Sequence, residues 1–116
     1  MRLDTIVIDC RDKHALAAFW CALLGTTVRG EVGQYLGLRA SHDGAPRLVF
    51  QQHEVLPEGT EKGRVHVDLD THDLEGDVTR AVSLGASQVA RQEEFGMTWV
   101  TMRDPEGNLF CLVAEG

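Results

Sequence analysis

The segment DPEGNLFC, residues 104–111, repeats in altered form the earlier segment DGAPRLVFQ, residues 43–51, and this repetition decides the fold. Thr5 and His66, near the starts of the two halves, are 61 residues apart. Gln51 and Cys111, near their ends, are 60 residues apart, so one deletion accounts for the difference. A duplicated unit implies quasi-twofold symmetry. The equivalent positions Thr5/His66 and Gln51/Cys111 are therefore expected to converge on one concave surface.

The first half shows one strand, one helix and three further strands. Residues 3–10 alternate and are rich in β-branched side chains, which predicts a strand. The apolar residues that follow recur with helical spacing between Asp12, a candidate N-cap, and Gly25, a typical C-terminal glycine. The remaining predicted strands of this half are 26–32, 34–40 and 47–53.

The second half repeats this order. A strand at 64–70 places His66, Asp68 and Asp70 on one face, and Asp73 caps the next helix. The apolar stripe of this helix is predicted to be Leu74, Val78, Ala81 and Val82. Strands are predicted at 87–93, 97–102 and 108–113. We therefore predict one α+β domain, residues 1–116, made of two tandem βαβββ modules: module one 1–56, a linker 57–63, and module two 64–116.

Composition restricts the class of protein. The chain has 116 residues, with 11 Lys and Arg against 18 Asp and Glu, a formal net charge of −7 and no basic run. This excludes the basic surface of a nucleic-acid binder and argues against binding to anionic membranes. The charges within the amino-terminal apolar run predict that it is not a signal peptide, and no long apolar span occurs in the sequence. Cys10, Cys21 and Cys111 show no CxxC spacing, which predicts reduced thiols and a cytoplasmic protein.

Several pieces of the sequence resemble a known superfamily. They are Asp12 with Phe19-Trp20 and Leu24-Gly25, the segment DPEGNLF at 104–110, and the segment RVHVDL at 64–69 with the ending FCLV at 110–113. Together they resemble the vicinal oxygen chelate superfamily, which includes glyoxalase I, bleomycin-resistance proteins and extradiol dioxygenases, and within it a glyoxalase-like subgroup. The resemblance spans the whole chain. It implies that the two modules form a curved, incomplete barrel-like sheet with a concave pocket.

The resemblance also indicates where a metal would bind. Catalytic members hold one divalent metal on the concave sheet, with ligands on the first and last strands of each module, and these positions are Thr5, Gln51, His66 and Cys111 here. Nickel, zinc or iron would require imidazoles and carboxylates, whereas this set has one imidazole, one thiol, one amide and one hydroxyl. We therefore predict no metal and no other cofactor. The alternative is a soft divalent ion held by His66 and Cys111 with help from Asp68, Gln51 or substrate.

His66 has two interpretations. It lines a pocket as a polar residue, or it hydrogen-bonds a ligand or acts as a general acid or base near neutral pH. Asp68, on the same face, would orient or charge the imidazole if the two side chains lean together. Otherwise Asp68 would pair with an arginine, and the candidates are Arg39, Arg47 and Arg103.

Cys111 also has two interpretations. It is a small buried hydrophobe, or it is a nucleophile paired with His66. The remaining histidines lie in loops or at helix starts and are interpreted as solvent residues: His14, His42, His53 and His72.

The two tryptophans differ in their predicted surroundings. Trp20 lies on the apolar stripe of the first helix and is predicted to be core. Trp99 shares one face of a strand with Phe95, Met97 and Thr101. That face either is concave, where it forms an apolar wall for a flat ligand, or packs against the helices as core.

We interpret the chain as a glyoxalase-like small-molecule-binding protein, independent of metal, that encloses an apolar or aromatic metabolite or drug as bleomycin-resistance proteins do. The predicted ligand-binding residues are Thr5, Gln51, His66, Asp68, Trp99 and Cys111. The alternative is an enzyme of the same superfamily, of the lyase, isomerase or dioxygenase type, that uses His66 with a reduced metal set or acid–base residues. The catalytic candidates are His66 and Cys111. A third interpretation is a purely structural or regulatory dimer. Sheet edges and apolar faces left by each module predict a homodimer.

Overall fold

The computed structural model describes residues 3–55, 65–94 and 96–115. Backbone contacts group the chain into two units, Met1–Thr60 and Glu61–Gly116. Each unit has one strand, one helix and three strands in that order, and each sheet is open and not a closed barrel. The predicted α+β fold of two tandem βαβββ modules is thereby confirmed. The predicted linker, residues 57–63, lies outside the described residues, so the module boundary stays a prediction.

The first unit is a four-stranded sheet with one helix. Its elements are β1 (Thr5–Cys10), α1 (Lys13–Leu24), β2 (Val28–Val32), β3 (Tyr35–Leu38) and β4 (Arg47–Gln52). The strand order is β1-β4-β3-β2. β1 and β4 run parallel, and the other two pairs are antiparallel.

The second unit repeats this topology. Its elements are β5 (Val67–Thr71), α2 (Leu74–Ser83), β6 (Ser87–Glu94), β7 (Met97–Arg103) and β8 (Leu109–Ala114). The strand order is β5-β8-β7-β6, again with a parallel pair, β5 and β8, at one side. His66 lies one residue before β5, which is an outer strand of this sheet.

Side-chain caps determine where both helices begin. The Asp12 carboxylate accepts the N–H of Ala15 at 3.1 Å, and the Asp73 carboxylate accepts the N–H of Gly76 at 3.0 Å, as predicted for N-caps. α1 ends at Gly25, whose φ of 69° lies in the left-handed region that glycine tolerates. Neither helix of the described chain has the length and apolar character that a membrane crossing requires.

Each helix covers one face of the sheet in its own unit. Trp20 is 1% exposed, so its predicted place in the core is confirmed. The rest of the first core consists mainly of Leu16, Phe19, Leu23, Leu36, Leu38, Leu48 and Phe50. α2 buries Leu74, Val78 and Ala81. Val82 is 48% exposed and does not belong to the buried stripe, because at helical spacing it lies beyond the edge of the face that contacts the sheet.

Alternation along the second sheet separates a buried face from an open one. The buried face carries Val100, Met102, Phe110 and Leu112, which are at most 3% exposed. Met97, Trp99 and Thr101 alternate with them and point to the opposite, open face. Trp99 therefore does not lie beneath a helix. Phe95, predicted to share this face, lies outside the described residues.

Candidate functional site

The open face of the second sheet carries a cleft of about 420 Å³. The cleft is lined by His66, Asp68, Glu94, Met97, Trp99, Cys111 and Val113. Four of the six predicted ligand-binding residues thus lie together in one unit. A cleft of this size with a mostly apolar lining is typical of sites for small molecules.

Strand register explains why these residues meet. Trp99 on β7 is the partner of Val113 on β8, and Cys111, two residues earlier on β8, is the partner of Asp68 on β5. Residues at alternate positions of a strand point to the same face, and neighbouring strands lie roughly 4.8 Å apart. The cleft therefore has an apolar floor on its two central strands, formed by Met97, Trp99 and Val113.

His66 and Asp68 lean together at the edge of the cleft. His66 Nε2 lies 3.3 Å from Asp68 Oδ1, and both side chains are more than half exposed. Among the described residues, no arginine pairs with Asp68, so the alternative pairing with Arg39, Arg47 or Arg103 is wrong. The candidate arginines make other contacts: Arg39 with Thr27 and Val28, Arg47 with Asp4, and Arg103 with Gly107.

Cys111 is buried, and its thiol still faces the cleft. The residue is 7% exposed, which agrees with the interpretation as a small buried hydrophobe. Its Sγ lies 3.5 Å from Thr101 Oγ1 on the neighbouring strand. It also lies within 4.8 Å of donor atoms of His66 and Asp68. This proximity is compatible with the alternative interpretation of Cys111 as a nucleophile paired with His66.

The donor atoms available for a metal can now be compared with what a metal requires. His66, Asp68 and Cys111 offer a nitrogen, an oxygen and a sulfur within 4.8 Å of one another, a set that suits zinc or another soft ion. The hydroxyl of Thr5 and the amide of Gln51 are weak ligands. The four family positions therefore do not fit nickel, zinc or iron, and the absence of a metal there stays a prediction.

Thr5 and Gln51 belong to the first unit. Thr5 Oγ1 donates a hydrogen bond to Asp4 Oδ2 at 2.9 Å. Gln51 on β4 is the partner of Asp9 on β1, and its backbone carbonyl accepts a contact from Cys10 Sγ at 3.7 Å. The predicted convergence of these two residues with the cleft stays a prediction.

The strand registers correct one equivalence that the repeat predicted. Val7 stands 61 residues before Asp68, the same interval that separates the two helix N-caps. Asp68 pairs with Cys111, whereas Val7 pairs with Val49. Val49, and not Gln51, is therefore the counterpart of Cys111 within its own sheet.

The reason lies in the turns before the last strands. β4 begins four residues after the start of segment 43–51, and β8 begins five residues after the start of segment 104–111. The turn before β8 is thus one residue longer than the turn before β4. The alignment of the two similar segments had instead predicted one deletion in the second half. Backbone hydrogen bonding between strands determines the register, whereas sequence similarity around a turn does not.

His53 is not the solvent residue that the sequence predicted. Its Nε2 lies 2.7 Å from Asp9 Oδ1, and its side chain is 26% exposed. The backbone N–H of His53 bonds to the carbonyl of Cys10 at 2.8 Å, which extends the β1–β4 pairing by one step. This extension holds the imidazole beside the carboxylate of Asp9.

Sequence reasoning missed two residues that line the cleft, Glu94 and Val113. Glu94 is the register partner of Met97, and Val113 is the partner of Trp99, so a correct pairing of β6, β7 and β8 would have identified both. A second cleft of about 550 Å³ shares Met97 and Val113 with the first. It is lined by Asp70, Gly96, Met97, Thr98, Val113, Ala114 and Glu115.

Comparison with known proteins supports the resemblance. A family model described as the glyoxalase-like domain matches residues 5–113. No curated protein matches the chain.

Three solved structures show the same fold. A glyoxalase/bleomycin resistance protein/dioxygenase family enzyme from Burkholderia phytofirmans is 21% identical, with 98% of each chain covered and a TM-score of 0.83. A bleomycin-binding protein complexed with bleomycin is 22% identical, with 100% of this chain and 99% of that chain covered and a TM-score of 0.68. A bleomycin resistance determinant encoded on the transposon Tn5 is 22% identical, with 99% and 98% covered and a TM-score of 0.69.

At these identities the structural likeness shows the fold alone, whereas the family match extends over nearly the whole chain. The chain belongs to the family of glyoxalase-like domains and has the vicinal oxygen chelate fold.

Proposed function

We propose that this chain binds a flat apolar or aromatic small molecule on the open face of its second sheet, without a metal. The observation that carries the proposal is the cleft of about 420 Å³, with Met97, Trp99 and Val113 as its floor. An apolar cleft with a few polar groups is the usual composition of a small-molecule site. The bleomycin-binding protein of the same fold supports a small-molecule ligand as the class.

Each cleft residue has a distinct role in this proposal. Trp99 stacks on the ligand ring, since aromatic contacts add roughly 0.5–1.5 kcal/mol beyond the burial of area. His66 and Asp68 supply polar contacts at the edge of the cleft, and Cys111 closes its floor. Thr5 and Gln51 are not among the residues that line this cleft, and their contact with a ligand stays a prediction.

The test uses acridine, a neutral planar aromatic probe, and calorimetric titration at pH 7.5. Trp99→Ala should weaken binding by about tenfold or more, because it removes both the stacking and the buried area. Trp99→Phe, which keeps an aromatic ring, is the matched control and should lose much less affinity. In the unsubstituted protein, acridine should quench the fluorescence of Trp99, while Trp20, which is 1% exposed, remains as the background emitter. Equal affinity of all three proteins for acridine would overturn the proposal.

The cluster of His66, Asp68 and Cys111 favours a second candidate function, an enzyme that uses Cys111 as a nucleophile. The thiol and the imidazole are close enough to interact after a small side-chain rotation, and Asp68 lies beside the imidazole. A neighbouring imidazolium promotes the reactive thiolate.

The rate of alkylation by iodoacetamide, followed at each cysteine by mass spectrometry, distinguishes this candidate from binding alone. If His66 activates Cys111, His66→Ala should slow the modification of Cys111 by about tenfold, because the thiolate is the reactive form. Cys21 is the internal control, since burial raises the pKa of its thiol and its rate should not depend on His66. An unchanged rate at Cys111 would contradict the enzyme candidate.

All three cysteines are present as thiols, and we propose a cytoplasmic location on this basis.

A further inference from the structure

Carboxylates stand on both sides of the apolar floor of the cleft. Asp68 and Asp70 project from β5 and Glu94 from the end of β6, and these are the two outer strands of the sheet. Three strand spacings separate β5 from β6, or roughly 14 Å. The floor between them, on β8 and β7, carries the ring of Trp99.

The register arranges these groups in rows across the sheet. Asp70 pairs with Val113, and Val113 pairs with Trp99, so the carboxylate and the indole belong to one row. Glu94 pairs with Met97 in the neighbouring row. A planar molecule stacked on Trp99 would therefore have a carboxylate near each end.

Within the described residues, no basic side chain neutralises Asp70 or Glu94, and neither forms an ion pair. Asp68 Oδ1 lies 3.3 Å from the imidazole of His66. The arginines that the structure describes in this unit make their contacts elsewhere: Arg80 with Asp77, Arg91 with Glu75, and Arg103 with Gly107. The net charge of −7 adds to the negative potential on this face.

We infer that the ligand of this cleft is a planar aromatic cation, such as a heteroaromatic ring with a permanent positive charge or a protonated amine. The inference rests on the proposed function and names its ligand class. A cation on the face of an indole is attracted by the ring quadrupole, and the two flanking carboxylates attract the same charge. An anionic ligand of equal shape would be repelled by all three acidic groups.

The experiment compares three probes of matched shape in calorimetric titrations: N-methylacridinium, acridine and acridine-9-carboxylate. At low salt, N-methylacridinium should bind about tenfold more tightly than acridine, and the carboxylate should bind most weakly. The preference for the cation should shrink at 0.5 M NaCl, because the Debye length falls from about 10 Å at 0.1 M towards about 3 Å at 1 M.

Single substitutions locate the source of the preference. Glu94→Gln and Asp70→Asn should each reduce the affinity for the cation severalfold and should reduce the affinity for acridine much less. Glu93→Gln is the matched control, since it removes the same charge from the adjacent position, whose side chain points to the other face of β6. This control should retain the full preference.

The outcomes separate this inference from the function on which it rests. If acridine binds as tightly as N-methylacridinium, the inference fails and the proposed function stands. If none of the three probes binds, both fail. If the cation binds best but Glu93→Gln weakens it as much as Glu94→Gln does, the attraction belongs to the general surface charge, and the inference fails.

Discussion

A single carboxylate organises the turn before the last strand. Asp104 is 4% exposed, and its Oδ1 accepts the backbone N–H of Glu106 and of Asn108, each at 2.9 Å. The Asn108 amide donates to both of its oxygens. Loss of this carboxylate would leave several partly buried donors without an acceptor, which is costly.

Asp104→Ala should therefore lower the free energy of unfolding by roughly 2–4 kcal/mol, since unsatisfied, partly buried donors and lost charge-assisted bonds act together. Urea denaturation followed by circular dichroism measures this change. Asp43→Ala is the matched control, because Asp43 opens the corresponding turn of the first unit and is exposed. The control should change stability by less than about 0.5 kcal/mol, as surface substitutions usually do. Similar losses in both variants would contradict the assignment.

At the scale of secondary-structure elements, Glu31 ties β2 to the start of α1. Its Oε2 lies 2.7 Å from Lys13 Nζ and 2.9 Å from His14 Nε2. Lys13 is 7% exposed, and it also donates to the carbonyl of Gly33 at 2.6 Å. Hydrogen bonds from Lys13 and then from His14 lower the pKa of Glu31 below its usual value of 4.5.

This shift predicts a pH dependence of stability with a definite sign. Because the pKa of Glu31 is lower in the folded state than in the unfolded state, its contribution is complete above the unfolded value and is lost as pH falls through the folded value. Glu31→Gln should therefore be less stable than the unsubstituted protein at pH 7, and the difference should shrink below about pH 4.5. Urea denaturation at pH 7, 5 and 3 measures it. Glu54→Gln, at an exposed position of the same unit, should show no such trend, and a difference for Glu31→Gln that grows towards pH 3 would contradict the prediction.

At the scale of the whole molecule, we predict no stoichiometric transition metal at the four family positions. The set Thr5, Gln51, His66 and Cys111 lacks a second imidazole and any carboxylate. Elemental analysis of protein purified without an affinity tag, with native mass spectrometry, measures the metal content. About one equivalent of nickel, zinc, iron or manganese, lost in His66→Ala, would contradict the prediction. Its additional loss in Asp68→Ala would place the ion in the cluster of His66, Asp68 and Cys111.

We also predict a homodimer. Each four-stranded sheet has outer strands with one hydrogen-bonded neighbour within the described residues, and large apolar side chains such as Val7, Val32 and Val65 are more than half exposed. Pairing of two copies would cover such surfaces. Light scattering should give twice the chain mass of 12.8 kDa. A mass of one chain throughout the micromolar range would contradict the prediction.

The sequence by itself determined the elements, their order and the N-caps of both helices. The caps at Asp12 and Asp73, the stop at Gly25 and the acidic turn at Asp104 all behave as their local sequence predicts. The repeat predicted two modules of equal topology, and the alternation of 64–70 placed His66 and Asp68 on one face. These features depend on residues that are a few positions apart, so they can be predicted from the local sequence.

Only the tertiary structure decided which strands pair and in which register. That pairing turned Trp99 to the open face, matched Val49 rather than Gln51 with Cys111, and brought Glu94 beside the apolar floor. The similarity of residues 43–51 and 104–111 did not reveal the extra residue before β8. Register is set by hydrogen bonds and packing between segments far apart in the chain, and a shift of one residue reverses every side chain of a strand.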